Sequence, residues 1–112
     1  MQSIQKIPFK QLAPGITGHY VHGDKQTFGL VELEAGSSVP LHHHINEQIT
    51  YILEGQLDMM IGGVAHSLTA GMYYVIPSNI SHSAVAVTDC RVIDVFSPMR
   101  EDYKTTEALD WE

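Results

Sequence analysis

Short apolar runs cut by turn-forming residues at intervals of about ten residues constrain this fold more than any other feature. The runs are rich in β-branched and aromatic residues, and between residues 27 and 97 no stretch of ten or more shows helical periodicity. Gly62-Gly63 is a two-residue hairpin signal. We therefore predict an all-β sandwich or barrel with strands in 27–36, 48–55, 56–61, 64–68, 72–77, 82–87 and 90–96.

The chain of 112 residues is long enough for one domain with its own core. Its 44% hydrophobic and 17% charged residues are typical of a globular protein. We expect residues 1–26 to form an irregular lead-in with one or two edge strands, 27–102 to form the barrel, and 103–112 to form a tail. Residues 104–112 are the only segment with a pattern compatible with a turn or two of helix.

Composition argues against several classes of function. Six basic against 13 acidic residues give a net charge of −7 with no basic cluster, which disfavours binding to nucleic acid. No apolar run approaches a membrane span, and the N-terminus lacks a secretory signal pattern. Cys90 is the only cysteine, and we expect it to be a small buried side chain. Together these features predict a cytoplasmic protein.

Three consecutive histidines, residues 42–44, lie in the middle of the chain rather than at an end. Side chains alternate in extended backbone, so His42 and His44 face one way and His43 faces the other. Gln48 has the same parity as His42 and His44. Glu47 has the opposite parity, although a one-residue bulge would exchange it with Gln48.

A metal ion needs a further ligand from elsewhere in the fold, and His82 is the best candidate. It begins a predicted strand after a short loop that follows Pro77. The alternative is a solvated histidine loop with an unrelated His82.

Two spaced motifs resemble those of the cupin family. Gly36-x5-His42-x-His44-x3-Gln48-x6-Gly55 resembles the first cupin motif, with Gln where many cupins have Glu, and Gly71-x5-Pro77-x4-His82 resembles the second. Ala86 replaces an Asn that often follows. The resemblance implies a double-stranded β-helix, or jelly-roll barrel, that holds one metal ion through His42, His44, Gln48 and His82.

This neutral ligand set would leave the full charge on a divalent metal ion. Nitrogen and amide-oxygen ligands accept Ni, Zn, Mn, Fe or Co, so the set does not identify the metal. Lewis-acid chemistry and oxygen activation both remain open at this stage.

A second group of candidate residues lies in the last predicted strand and just beyond it. Asp94 is a carboxylate among aliphatic residues, with Phe96 on the same face. If that face lies inside the barrel, Asp94 is a buried acid; if it lies outside, Asp94 is solvated. Arg100 could fold over the barrel mouth and bind a carboxylate with two hydrogen bonds, or it could be a surface arginine.

The segments NEQITYILEG and DVFSPMREDY are similar to segments of a cupin subgroup from pectin and alginate catabolism. Members of that subgroup convert 4,5-unsaturated monouronates to linear keto-uronates. The resemblance implies an enzyme with Asp94, Phe96 and Arg100 in its active site, acting on a small anionic sugar. One departure is Ile45-Asn46, where Pro-His is common in the subgroup.

Other readings compete with this one. The chain could be a cupin dioxygenase or an isomerase acting on another small molecule. It could also be a non-catalytic cupin that binds a sugar or metabolite. Because small cupins commonly pair through their sheets, we also expect a homodimer.

Overall fold

The computed structural model describes residues 3–104. Within them, every regular element is a strand except two short 3₁₀ turns, Ile4–Lys6 and Glu101–Tyr103. The predicted strands are present. An additional strand, β4, lies in the segment that ends at His42. The helical turn expected in the tail falls largely on residues 105–112, which lie outside the described residues. The strands are β1 (Lys10–Ala13), β2 (Ile16–His22), β3 (Thr27–Leu33), β4 (Ser38–His42), β5 (Glu47–Glu54), β6 (Gln56–Ile61), β7 (Val64–Thr69), β8 (Tyr73–Ile76), β9 (His82–Ala86) and β10 (Cys90–Ser97).

The strands form two sheets. One has six strands in the order β1-β2-β3-β10-β5-β8, and the other has four in the order β4-β9-β6-β7. Every strand pair is antiparallel. Consecutive strands repeatedly cross from one sheet to the other, which is the arrangement of a jelly-roll barrel. The all-β prediction is confirmed.

Alternating side chains on the two facing sheets build the core. In β5, residues Gln48, Thr50 and Ile52 are buried, whereas their neighbours in the strand are exposed. Ile16, on β2 at the far side of the same sheet, is also completely buried. At the β6–β7 hairpin, Gly62 and Gly63 have φ values of 55° and 80°, which the predicted two-residue turn requires of both residues. The interior of the barrel is therefore specified by a period-two pattern.

The N-terminal part contributes to the six-stranded sheet. β1 lies at its edge and β2 is fully paired with β3. The ring of Tyr20 on β2 packs so closely over Gly29 that a Cβ atom there would lie 2.4 Å from it. That ring also contacts Tyr103, with 4.6 Å between centroids. Tyr20 thus connects the sheet to the segment that follows β10.

No helix among residues 3–104 has the length and apolar character needed to cross a membrane.

Candidate functional site

Three histidines meet where β4 ends and β9 begins. His42 is the last residue of β4 and lies directly opposite His82, the first residue of β9. His44 lies two residues further along, and its ring centroid is 4.9 Å from that of His82. The candidate ligand atoms of the three side chains all lie within 4.8 Å of one another. The structure therefore brings together the three predicted histidine ligands in a cluster that could hold a metal ion.

Each of the three rings forms a hydrogen bond through Nδ1, which leaves Nε2 to face the cluster. Nδ1 of His42 lies 2.7 Å from the carbonyl oxygen of Pro40, Nδ1 of His44 lies 2.9 Å from that of Asn46, and Nδ1 of His82 lies 2.8 Å from that of Ile80. A carbonyl oxygen only accepts, so each Nδ1 carries the proton. Each neutral ring then presents a lone pair at Nε2, as metal-binding histidines do.

The three rings are held in the neutral form that binds metal. Burial lowers the pKa of His42 to about 4 and that of His44 to about 4. Burial likewise lowers the pKa of His82. Neighbouring positive charges act in the same direction, including Arg100 in all three cases. At neutral pH, metal binding would therefore not have to displace protons from these imidazoles.

Gln48 faces the cluster, and its neighbour Glu47 is exposed. The amide nitrogen of Gln48 donates to the hydroxyl of Thr50 at 2.8 Å, which turns Oε1 toward Nε2 of His44 at 3.0 Å. Because the proton of His44 is on Nδ1, two lone-pair atoms face each other here. Nε2 of His82 is buried and has no hydrogen-bond partner among the described residues. A cation between these atoms would satisfy all of them, so the donor set fits a metal ion.

His43 is exposed, which agrees with the predicted alternation of side chains.

Asp94 lies on the inner face of β10 beside this cluster. It is directly opposite Thr50 on β5, and Phe96 is directly opposite Gln48. The Thr50 hydroxyl donates to Oδ1 of Asp94 at 2.8 Å, and the Gln48 amide is 3.3 Å from the same oxygen. Burial raises the pKa of Asp94 to about 6 despite these hydrogen bonds, which act to lower it. The structure thus places a carboxyl group that can hold a proton near neutral pH next to the candidate ligands.

Arg100 is buried, with 6% of its surface exposed. Its guanidinium lies 3.9 Å from the ring centroid of Tyr103 and 4.8 Å from that of Phe96. Its Nε and Nη2 groups donate hydrogen bonds to the Asp102 carboxylate at 2.9 and 2.7 Å. Nη1 is buried without a hydrogen-bond partner among the described residues. The ring of Phe96 also contacts that of His44, with 5.7 Å between centroids, so one aromatic side chain links Arg100 to the histidine cluster.

One cavity inside the barrel is lined by members of both predicted groups, although His44 and Arg100 are not among its lining residues. It has an open volume of about 50 Å³, and its wall includes His42, His82, Gln48, Asp94 and Phe96. Apolar core residues such as Leu57 and Val92 line the remainder. Polar groups are therefore concentrated on part of a mainly apolar wall.

Sequence reasoning missed four polar or aromatic residues that support the site. Thr50 had a usable signal, because it is two residues beyond Gln48 and so shares its face of the strand. Asp102 and Tyr103 hold the Arg100 guanidinium. Asn46 joins the loop between β4 and β5, residues 43–46, to Pro98 through its side-chain amide, and we call this segment the histidine loop. The Asn46–Pro98 contact joins segments far apart in the sequence, whereas Asp102 and Tyr103 lie in the 3₁₀ turn next to Arg100, which strand alternation does not describe.

Comparisons with known proteins agree with this architecture. Residues 29–96 match the family model described as Cupin domain. The chain is 30% identical to the pectin degradation protein KdgF of Dickeya dadantii (strain 3937) over 101 residues, which cover 88% of this chain and 92% of that protein.

Among solved structures, one similar fold is an RmlC-like cupin from Shewanella frigidimarina NCIMB 400, with a TM-score of 0.86 and 26% identity over 92% of this chain and 94% of that one. KdgF from Halomonas sp. is similar with a TM-score of 0.82 and 29% identity, covering 91% of this chain and 98% of that one. The family match spans more than half of the chain, including all the candidate ligands.

Proposed function

The chain belongs to the cupin family, and from that premise we propose that it is a metal-dependent enzyme that converts 4,5-unsaturated monouronates to linear keto-uronates. The observation that carries the proposal is the arrangement around Phe96. The candidate ligand His44 and the buried Arg100 both contact its ring, and Asp94 lies next to Gln48. Similarity to the pectin degradation proteins named KdgF supports this choice of substrate class.

His42, His44, His82 and Gln48 would hold the metal ion, which would be Ni, Zn, Mn, Fe or Co. All four ligands are neutral, so a bound divalent ion keeps its full charge and supplies Lewis acidity toward the oxygen atoms of an anionic sugar. The overall charge of −7 opposes the approach of such a substrate. Local positive charge at the site is therefore needed to bind it.

Arg100 binds the substrate carboxylate in this proposal. Asp102 occupies Nε and Nη2, so the unpartnered Nη1 and the remaining N–H of Nη2 form the edge left for a ligand. That edge can donate two parallel hydrogen bonds to one carboxylate. Contact with Phe96 and Tyr103 holds the plane of the guanidinium, which gives the bound sugar a fixed orientation.

Asp94 moves the proton in the ring-opening step. The substrate loses the proton of its C1 hydroxyl as the bond between C1 and the ring oxygen breaks, which gives an aldehyde at C1. The released enolate gains one proton at C4 and becomes the ketone at C5, so the proton lost from C1–OH is balanced and the reaction is an isomerisation with no net redox change. Both hydrogen bonds to Asp94 reach Oδ1, and we assign the transferred proton to Oδ2.

Replacement of Asp94 by Asn tests this assignment. Asn keeps the size of the side chain and the oxygen that accepts from Thr50, but it cannot carry the proton. We expect Asp94→Asn to bind metal like the wild type and to lose at least about 100-fold in kcat, the lower range for general acid–base catalysis. The rate is followed as loss of the ultraviolet absorbance of the substrate double bond. An unchanged kcat at equal metal content would refute the role of Asp94.

Two results would favour the other readings. Consumption of O₂ by the Fe(II)-loaded protein would support a dioxygenase. Tight binding of uronate without turnover would support a binding protein.

We also propose that the protein is a homodimer that pairs through the outer face of the six-stranded sheet. Ile49 and Tyr51 on β5 lie directly opposite Val75 and Tyr73 on β8, and all four are exposed by 38–67%. Phe28 on β3 extends this apolar face and is 40% exposed. Contiguous apolar area of this kind is typical of protein interfaces.

A further inference from the structure

Asn46 lies between the candidate metal ligands His44 and Gln48 in the sequence, and it also contacts Pro98 in the segment after β10. It is 5% exposed. Its main-chain carbonyl accepts the hydrogen bond from Nδ1 of His44 at 2.9 Å, and its side-chain amide donates to the carbonyl oxygen of Pro98. One residue therefore contacts both the ring of His44 and the segment after β10.

That segment carries Arg100, two residues beyond Pro98. The main-chain N–H of Arg100 donates to the hydroxyl oxygen of Thr27 at 2.9 Å, and Thr27 is completely buried. Pro98 and Arg100 are therefore anchored on different elements, the first by the histidine loop and the second by β3. A shift of the histidine loop would change the hydrogen bond to Pro98 but not the hydrogen bond between Arg100 and Thr27.

The loop has a second attachment that does not involve Asn46. The carbonyl oxygen of His44 accepts from the main-chain N–H of Asn79 at 2.8 Å. Loss of the Asn46 side chain would leave this bond in place, so the loop would remain folded. It would lose the attachment that sets the position of the His44 ring relative to the Arg100 segment.

We propose that Asn46 is a positioning residue, which fixes the histidine loop against the segment that carries Arg100 and so sets the geometry of the metal site. The inference rests on the metal site of the proposed function and not on the identity of the substrate. A buried amide that hydrogen-bonds a carbonyl leaves that carbonyl unpaired when it is removed. The main-chain carbonyl of Asn46 is the hydrogen-bond partner that orients the His44 ring, and loss of the Asn46 side chain would shift this carbonyl without removing it.

Titration with Co(II) tests this directly, because its absorption spectrum reports ligand geometry and its affinity can be measured against a competing chelator. The variants are Asn46→Ala and Asn46→Leu, the second of which keeps the side-chain volume but cannot donate. Ile45→Ala is the matched control, since Ile45 is the adjacent residue and is 67% exposed.

We expect both Asn46 variants to bind Co(II) about tenfold more weakly and to show altered visible absorption bands. Tenfold is about the lower end of the effect seen when groups that orient metal ligands are replaced. The Ile45→Ala variant should match the wild type in both. If both Asn46 variants unfold at a lower temperature but keep wild-type Co(II) affinity and spectrum, Asn46 has only a structural role and the inference is wrong. Absence of uronate turnover by the wild type would refute the proposed reaction, whereas the Co(II) titration would still decide the role of Asn46.

Discussion

Oε1 of Gln48 and Nε2 of His44 are 3.0 Å apart, and both atoms present lone pairs. Nδ1–H of His44 donates to the carbonyl oxygen of Asn46, and the amide N–H groups of Gln48 donate to Thr50 and Asp94, so each group presents an acceptor to the other. Two facing acceptors are unfavourable unless a cation lies between them. Two ligand atoms that each lie about 2.1 Å from one ion can be at most about 4.2 Å apart, and the separation of 3.0 Å satisfies this limit.

Gln48 should therefore contribute to metal affinity, and Glu47 should not. We predict that Gln48→Leu weakens Co(II) binding by at least about tenfold, because it removes a ligand oxygen. Glu47→Leu is the matched control, since Glu47 is the exposed neighbour on the other face of β5. Chelator competition measures both affinities. A greater loss in Glu47→Leu would reverse the assignment of the fourth ligand.

His42 should contribute to metal retention, and His43 should not. His42 faces the cluster and His43 is exposed. We predict that His42→Ala loses most of its bound metal on dialysis and that His43→Ala retains the wild-type amount. Elemental analysis of the dialysed proteins provides the measurement. Equal retention by the two variants would mean that His42 is not a ligand.

Asp102 should matter through Arg100. Asp102→Ala removes both hydrogen bonds that hold the guanidinium, so we expect KM for the unsaturated uronate to rise about tenfold, equivalent to about 1.4 kcal/mol. The effect on kcat should be smaller, because Asp102 does not contact the reacting atoms. Glu101→Ala is the control, since Glu101 is exposed and lies 3.8 Å from Lys104. Steady-state kinetics distinguish the two variants, and an unchanged KM in Asp102→Ala would show that Arg100 needs no such support.

The proposed dimer should depend on the outer face of the six-stranded sheet. A charge in the centre of an apolar interface is costly to bury, so we predict that Tyr51→Asp is a monomer. Val85→Asp is the control, because Val85 is 47% exposed but belongs to the four-stranded sheet. Light scattering coupled to size exclusion gives the masses. A dimer in Tyr51→Asp and a monomer in Val85→Asp would place the interface on the other sheet.

The period-two pattern made much of this structure predictable. It gives β3 and the strands from β5 onward, but not β4, and it assigns Gln48 and His42 to a different face from Glu47 and His43, because alternation along a strand is a local property. The orientation of Asp94 was undecided from spacing alone. Its inward position follows from the pairing of β10 with β5, which puts it opposite Thr50.

Contacts between segments far apart in the sequence had no such signal. Asn46 meets Pro98 across 52 residues, and the anchor of Arg100 on Thr27 spans 73. The resemblance to cupins identified Arg100, but not the Asp102 and Tyr103 side chains that hold its guanidinium. A short polar side chain in a loop is also the usual feature of a turn, so its sequence alone does not reveal a buried hydrogen bond.

The most direct test of the account is the rate at which the wild-type protein removes the double-bond absorbance of freshly prepared 4,5-unsaturated galacturonate. The rate should be measured with protein as purified, after chelation, and after each candidate metal is restored. We predict acceleration over the spontaneous rate that chelation abolishes and at least one metal restores, with no consumption of O₂. A fully loaded protein that leaves the spontaneous rate unchanged would contradict the proposed function.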